Sequence, residues 1–99
     1  MTPDALQADP KHYKIEFEND RVRVLRIRYG PHETSVMHSH PPGIGVFLTD
    51  HHARFTDPEG NLWEWHARAG EFFTGDGTTH CPENLSDEPF ELIEVEFKP

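Results

Sequence analysis

The 99 residues contain a single cysteine, Cys81, so no internal disulfide can staple the chain. That fits a reducing, cytoplasmic setting. No stretch approaches the roughly 20 consecutive apolar residues of a membrane-spanning helix. The opening MTPDALQADPKHY has no basic segment followed by an apolar run, so no signal peptide is expected. Basic residues are scarce. Lys and Arg number 9 against 18 Asp and Glu, a formal charge of −9. That balance argues against nucleic acid and anionic membranes as partners, because both are bound through cationic surface. Helical periodicity is missing too, apart from a possible turn near residues 3–9. Hydrophobic residues make up only 34% of the chain. The core of so short a domain is modest, and a homodimer that covers further apolar surface is expected.

What is present is a period of two. HYKIEFEND sets Tyr13, Ile15 and Phe17 against Lys14, Glu16 and Glu18. In RVRVLRIRYG the apolar phase slips between Val24 and Leu25, which calls for a bulge or a strand buried on both faces. TSVMHSH puts Val36, His38 and His40 on one face. IGVFLT and ARFT read as strands joined by a tight turn at Asp50-His51-His52. DPEGN, TGDGT and SDEP supply further turns. The final FELIEVEF opposes Phe90, Leu92, Glu94 and Glu96 to Glu91, Ile93, Val95 and Phe97. About eight to ten short strands parted by Gly, Pro and Asp predict an all-β fold, an antiparallel sandwich or barrel. Residues 1–12 read as a flexible polar arm, and residues 13–99 as one barrel domain.

The chemistry is concentrated in histidine, of which there are 8. Residues two apart on a strand project to the same side, so His38 and His40 can converge on one point. His80, at the head of a later strand, supplies a third imidazole. Three nitrogens suit Zn, Fe, Ni or Cu and leave coordination positions open. Cys81, next to His80, points away from such a site and reads as an inert thiol. Arg21, Arg23, Arg26 and Arg28 are expected to pair with Glu16, Glu94 and Glu96 on the outer surface rather than to form a carboxylate-binding patch. Arg23, on the Leu25/Ile27 face, is the one of the four to inspect for an inward direction. His12, His51, His52 and His66 read as exposed. Trp63 and Trp65 share a face and read as core or dimer interface.

Taken together, these residues resemble the cupins, a superfamily of small β-barrels. The family's second motif, G-x(5)-P-x-G-x(2)-H-x(3)-N, is matched at its end by Gly77, His80 and Asn84. Gly75 stands where the family has proline, and the opening glycine is displaced to Gly70. Of the first motif, G-x(5)-H-x-H-x(3,4)-E-x(6)-G, His38 and His40 are present. Its glutamate falls at Ile44 or Gly45, and His32 and His51 occupy its glycine positions. The resemblance covers roughly residues 20–98. It implies a jelly-roll barrel with a divalent metal (Fe, Zn, Ni or Mn) on His38, His40 and His80, as in cupin oxygenases that use three histidines alone. Glu83 and His32 are candidate substitutes for the absent glutamate, and Glu83 is a candidate general base. Arg23, Ile44, Val46, Phe47 and Phe72 are the expected pocket residues. ENDRVRVLRI, MHSHP and DEPFELIEVEFK are further similar to small bacterial cupins associated with β-alanine degradation. That similarity implies a small carboxylate or keto-type ligand of amino-acid catabolism and an oxygenase-like reaction. The alternative from another class is a non-catalytic small-molecule-binding protein without metal.

Overall fold

The computed structural model describes residues 2–99. A short helix, α1 (Ala5–Ala8), precedes nine strands: β1 (Tyr13–Glu18), β2 (Val22–Tyr29), β3 (His38–His40), β4 (Gly43–Phe47), β5 (His51–Thr56), β6 (Leu62–Ala67), β7 (Phe72–Gly75), β8 (Thr78–Asn84) and β9 (Phe90–Phe97). They form a five-stranded sheet in the order β1-β2-β9-β4-β7 and a four-stranded sheet in the order β3-β8-β5-β6. All the strand pairings are antiparallel. The last two strands insert between earlier ones, β9 between β2 and β4 and β8 between β3 and β5. This is the jelly-roll arrangement that the resemblance implies, within the antiparallel sandwich or barrel that the turn spacing predicts.

The phase slip has a simple origin. β2 is regular, with Leu25, Ile27 and Tyr29 buried. The bulge lies in its partner β1, where Ile15 opposes Leu25 and Phe17 opposes Val24, leaving Glu16 as the extra residue. Buried Tyr13, Leu25, Ile27, Tyr29, Phe47, Phe90 and Leu92 form the core between the sheets.

The opening segment is not a free arm. Asp4 caps α1 by accepting from Gln7 N–H at 2.9 Å. Ala5 is fully buried, and Ser39 N–H donates to Pro3 O at 2.9 Å, tying the segment to β3. Asp9 anchors it further, accepting from Ser35 Oγ at 2.5 Å and contacting His12 Nδ1 at 2.6 Å. A polar segment can therefore be ordered without a large apolar contribution, because its side chains find partners in the body of the fold.

β4 explains three residues that the sequence misplaces. Its buried positions are Gly43, Gly45 and Phe47, and its exposed ones are Ile44 and Val46. A Cβ on Gly45 would overlap the Phe73 ring, and one on Gly43 would run into the Val95 carbonyl. The inward face thus takes glycine so that a neighbouring ring can fill the space. Val46 pairs with Phe72 and Gly45 with Phe73, so Phe73 turns inward and Phe72 is 69% exposed. Of the expected pocket residues, Ile44, Val46 and Phe72 therefore belong to the outer face, which they share with Phe17 and Phe97.

Candidate metal centre

β3 pairs with β8 in a register that sets His38 directly opposite His80 and His40 opposite Thr78. The third imidazole thus comes from the adjacent strand, where cross-strand side chains start about 4.5–5.5 Å apart. One nitrogen of each of the three rings lies within 4.8 Å of the other two. Ring centroids are 4.9 Å apart for His38 and His40, 5.0 Å for His38 and His80, and 5.1 Å for His40 and His80, with the rings near perpendicular. His38 and His40 are buried, and His80 is half-buried.

The far nitrogens are held from behind. His40 Nδ1 donates to Glu96 Oε2 at 2.9 Å. Glu94 Oε1 lies at the same distance from Nδ1 but without an aligned hydrogen, and it has no other partner. Nδ1 carries one proton, so one carboxylate accepts it and the other stays close. His38 Nδ1 lies 3.3 Å from Ser35 Oγ, and its Nε2 lies 3.1 Å from the Tyr13 hydroxyl. The Tyr13 hydroxyl also meets that of Tyr29 at 2.7 Å. His80 Nε2 is buried with no partner at all. A carboxylate on one nitrogen, as at His40, and an unpartnered nitrogen, as at His80, are features a metal-ligating imidazole uses.

Electrostatics separate the three rings. Burial, aided by the charge of His40, lowers the His38 pKa to about 4. Burial and the two neighbouring imidazoles lower that of His80 to about 2. Burial acts in the same direction on His40, but the adjacent carboxylates Glu94 and Glu96 outweigh it and push His40 up to about 9. Glu96 itself is held below its usual range. Burial would raise it, but His40 and Arg23 more than offset that cost. Burial also keeps the Tyr13 phenol well above its ordinary pKa.

His40 and His80 open on a cavity of about 190 Å³. Phe47, Phe55, Trp63, Trp65, Phe73 and Phe90 supply most of its wall, with His40, His80 and Glu94 at one end. No Lys or Arg lines it. Of the sequence-predicted pocket residues only Phe47 is in the wall. Arg23 does not line the cavity. Its guanidinium holds Glu96 Oε1 at 2.7 and 3.1 Å, with Asp4 Oδ2 at 3.4 Å.

Other expectations are corrected. Glu83 faces away from His80 and pairs with Arg54 at 3.1 Å, because alternate residues of β8 point to opposite sides. His32 is exposed, pairs with Asp87 at 2.6 Å, and sits in the left-handed region at φ 60°. Neither substitutes for the missing glutamate. Glu94 and Glu96 are not outer partners for the arginines. They are buried, and Arg26 pairs instead with Glu16 and Glu91. His51 and His12 are buried too. Tyr13, Glu94 and Glu96 were missed as site residues, although one signal was legible. The two acids share a face with Phe90 and Leu92, so once those two are inward the acids are as well. A second cluster, His52, Glu64 and His66, lies on the outer face of β5 and β6. His52 Nε2 is 2.8 Å from Glu64 Oε1, and Glu64 and His66 are exposed.

No protein-family model matches the sequence, and no curated protein matches it either. Solved structures do. A cupin domain from Bordetella pertussis Tohama I is 26% identical over 100% of this chain and 98% of its own, with a TM-score of 0.81. A conserved protein with a double-stranded β-helix domain from Klebsiella pneumoniae is 21% identical, covering 84% of this chain and 72% of its own, with a TM-score of 0.66. A cupin superfamily protein from Desulfitobacterium hafniense is 10% identical over 88% and 76%, with a TM-score of 0.64. With an interleaved antiparallel jelly roll, the H-x-H pair on β3 and its partner on β8, and these likenesses, the chain has the cupin fold.

Proposed function

We propose that the chain holds one divalent first-row metal on His38, His40 and His80 and binds a small ligand against it through the aromatic cavity. The observation that carries this reading is the convergence of three ring nitrogens on a site where His80 Nε2 is buried and unpartnered. Such an orphan costs about 1–3 kcal/mol, and coordination removes that cost. A nitrogen-rich set favours Fe, Ni or Zn over the harder Mn. Once bound, the ion supplies Lewis acidity toward an oxygen of the ligand.

The chain does the rest. Glu96 and Glu94 fix the ring of His40, and Ser35 steadies that of His38. The walls exclude water and bind an apolar body. An engineered cavity of about 150 Å³ accepts benzene, so about 190 Å³ suits a compound with a single ring or a short branched chain. With no Lys or Arg in the wall, a carboxylate or keto head of that ligand belongs at the histidine end. The rest of the ligand lies on Phe47, Trp65 and Phe73.

A metal-free binding protein is the second reading, favoured by the absence of the motif glutamate. Elemental analysis of untagged protein separates the two. About one equivalent of metal, lost in His38→Ala and His80→Ala but kept in His52→Ala, supports the metal centre. Protein that takes up no Fe, Ni, Zn or Mn, or that loses metal only in His52→Ala, overturns it.

A further inference from the structure

The centre has three imidazole nitrogens and lacks the glutamate oxygen that the cupin motif places beside them. Glu94 and Glu96 are both engaged at His40 Nδ1, each with a carboxylate oxygen 2.9 Å from that nitrogen. A further oxygen beside the rings is the phenol of Tyr13, 3.1 Å from His38 Nε2.

That spacing is informative. Ligands each about 2.0–2.1 Å from a first-row ion lie about 2.9 Å apart at a right angle and about 3.3 Å apart at the tetrahedral angle. The Tyr13 oxygen and His38 Nε2 fall between those limits without moving. Tyr13 is also well held. It is buried beside both His38 and His40, with ring centroids 4.9 and 5.6 Å away. Its hydroxyl meets that of Tyr29 at 2.7 Å, and the Tyr29 ring is stacked on His12 at 4.2 Å.

We propose that Tyr13, contributed by β1, is the fourth protein ligand of the metal, its phenolate supplying the anionic oxygen that the absent motif glutamate does not. On coordination the phenol O–H bond breaks, the proton leaves to solvent, and the oxygen lone pair forms the bond to the metal. No electron is transferred. The Tyr29 hydroxyl then donates its hydrogen to the phenolate oxygen, which favours the charged form. The assignment rests on the metal-binding reading above.

The test uses iron spectroscopy rather than turnover. Untagged His52→Ala protein is loaded with Fe(II) without oxygen, oxidised with ferricyanide and examined by visible absorption and resonance Raman. Phenolate bound to Fe(III) gives an intense charge-transfer band with enhanced phenolate ring vibrations. The chain has only 2 tyrosines, so the assignment is closed. The band is expected in the parent, absent in Tyr13→Phe, and retained at shifted energy in Tyr29→Phe. Tyr13→Phe is further expected to bind iron about tenfold or more weakly. Should Tyr13→Phe fail to fold, the band in Tyr29→Phe decides the question alone. Stoichiometric iron without a phenolate band, or a band that survives Tyr13→Phe, overturns the ligand assignment and leaves the three-histidine centre standing. Failure to bind any metal overturns the centre itself.

Discussion

Replacing His51 with leucine should remove an acid-sensitive group from the interior. The imidazole packs against Phe47 and Phe90, with ring centroids 4.7 and 4.1 Å away. Its buried Nδ1 has no partner. Burial, aided by the charge of neighbouring His52, lowers its pKa from 6.5 to about 4. The folded chain therefore accommodates the neutral ring, while the unfolded chain takes up a proton near pH 6.5. Between those values the unfolded state binds more protons, so stability falls as the pH falls. The loss is negligible above about pH 7, reaches about 2 kcal/mol near pH 5, and approaches about 3.4 kcal/mol below both pKa values. Leucine keeps the apolar contacts and removes the titration. Urea unfolding near pH 7.5 and near pH 5, with chelator present, measures the effect. The other buried imidazoles titrate equally in both proteins, so the difference between the two pH-dependences isolates His51. The variant should keep about 2 kcal/mol that the parent loses, a midpoint difference of about 1–2 M urea. Equal losses in the two proteins would mean a solvated ring and would refute the inward packing of β5.

Three further outcomes follow from the same geometry. Asn84 is fully buried. It donates to the carbonyls of Tyr29, Gly30 and Glu88 and accepts from Ser86. Asn84→Ala should cost about 3 kcal/mol in urea unfolding, and a loss below about 1 kcal/mol would contradict the clamp. Gly45→Ala should cost about 1–3 kcal/mol by overpacking against Phe73. That cost should largely vanish in the Phe73→Ala background, and additive thermal shifts would rule out the contact. Glu96→Gln should weaken metal binding about 10–100-fold, in competition with a coloured chelator, by loosening the support of His40. Unchanged affinity would show that the carboxylate does not tune the ring.

How much of this was legible depends on the range of each interaction. The H-x-H pair declared its own convergence, because two residues of one strand share a face whatever surrounds them. The ending Gly77, His80, Asn84 identified the third imidazole through a family pattern, and turn chemistry gave the strand count to within a few. The slip between Val24 and Leu25 was visible as well, but its cause lay in β1, which only the pairing register reveals.

Alternation states which residues travel together and leaves open which set turns inward. In β9 the acids follow Phe90 and Leu92 inside, since Arg23 and His40 wait there to neutralise them. In β4 the glycines go in and Ile44 and Val46 go out, since a ring from β7 already occupies the space. The sequence by itself therefore determined an all-β chain with three imidazoles able to meet. The tertiary structure decided what stands behind and beside them, Glu94, Glu96 and Tyr13, and how the aromatic wall closes around them. Those neighbours are remote along the chain, and only the pairing of whole strands fixes which faces share the interior.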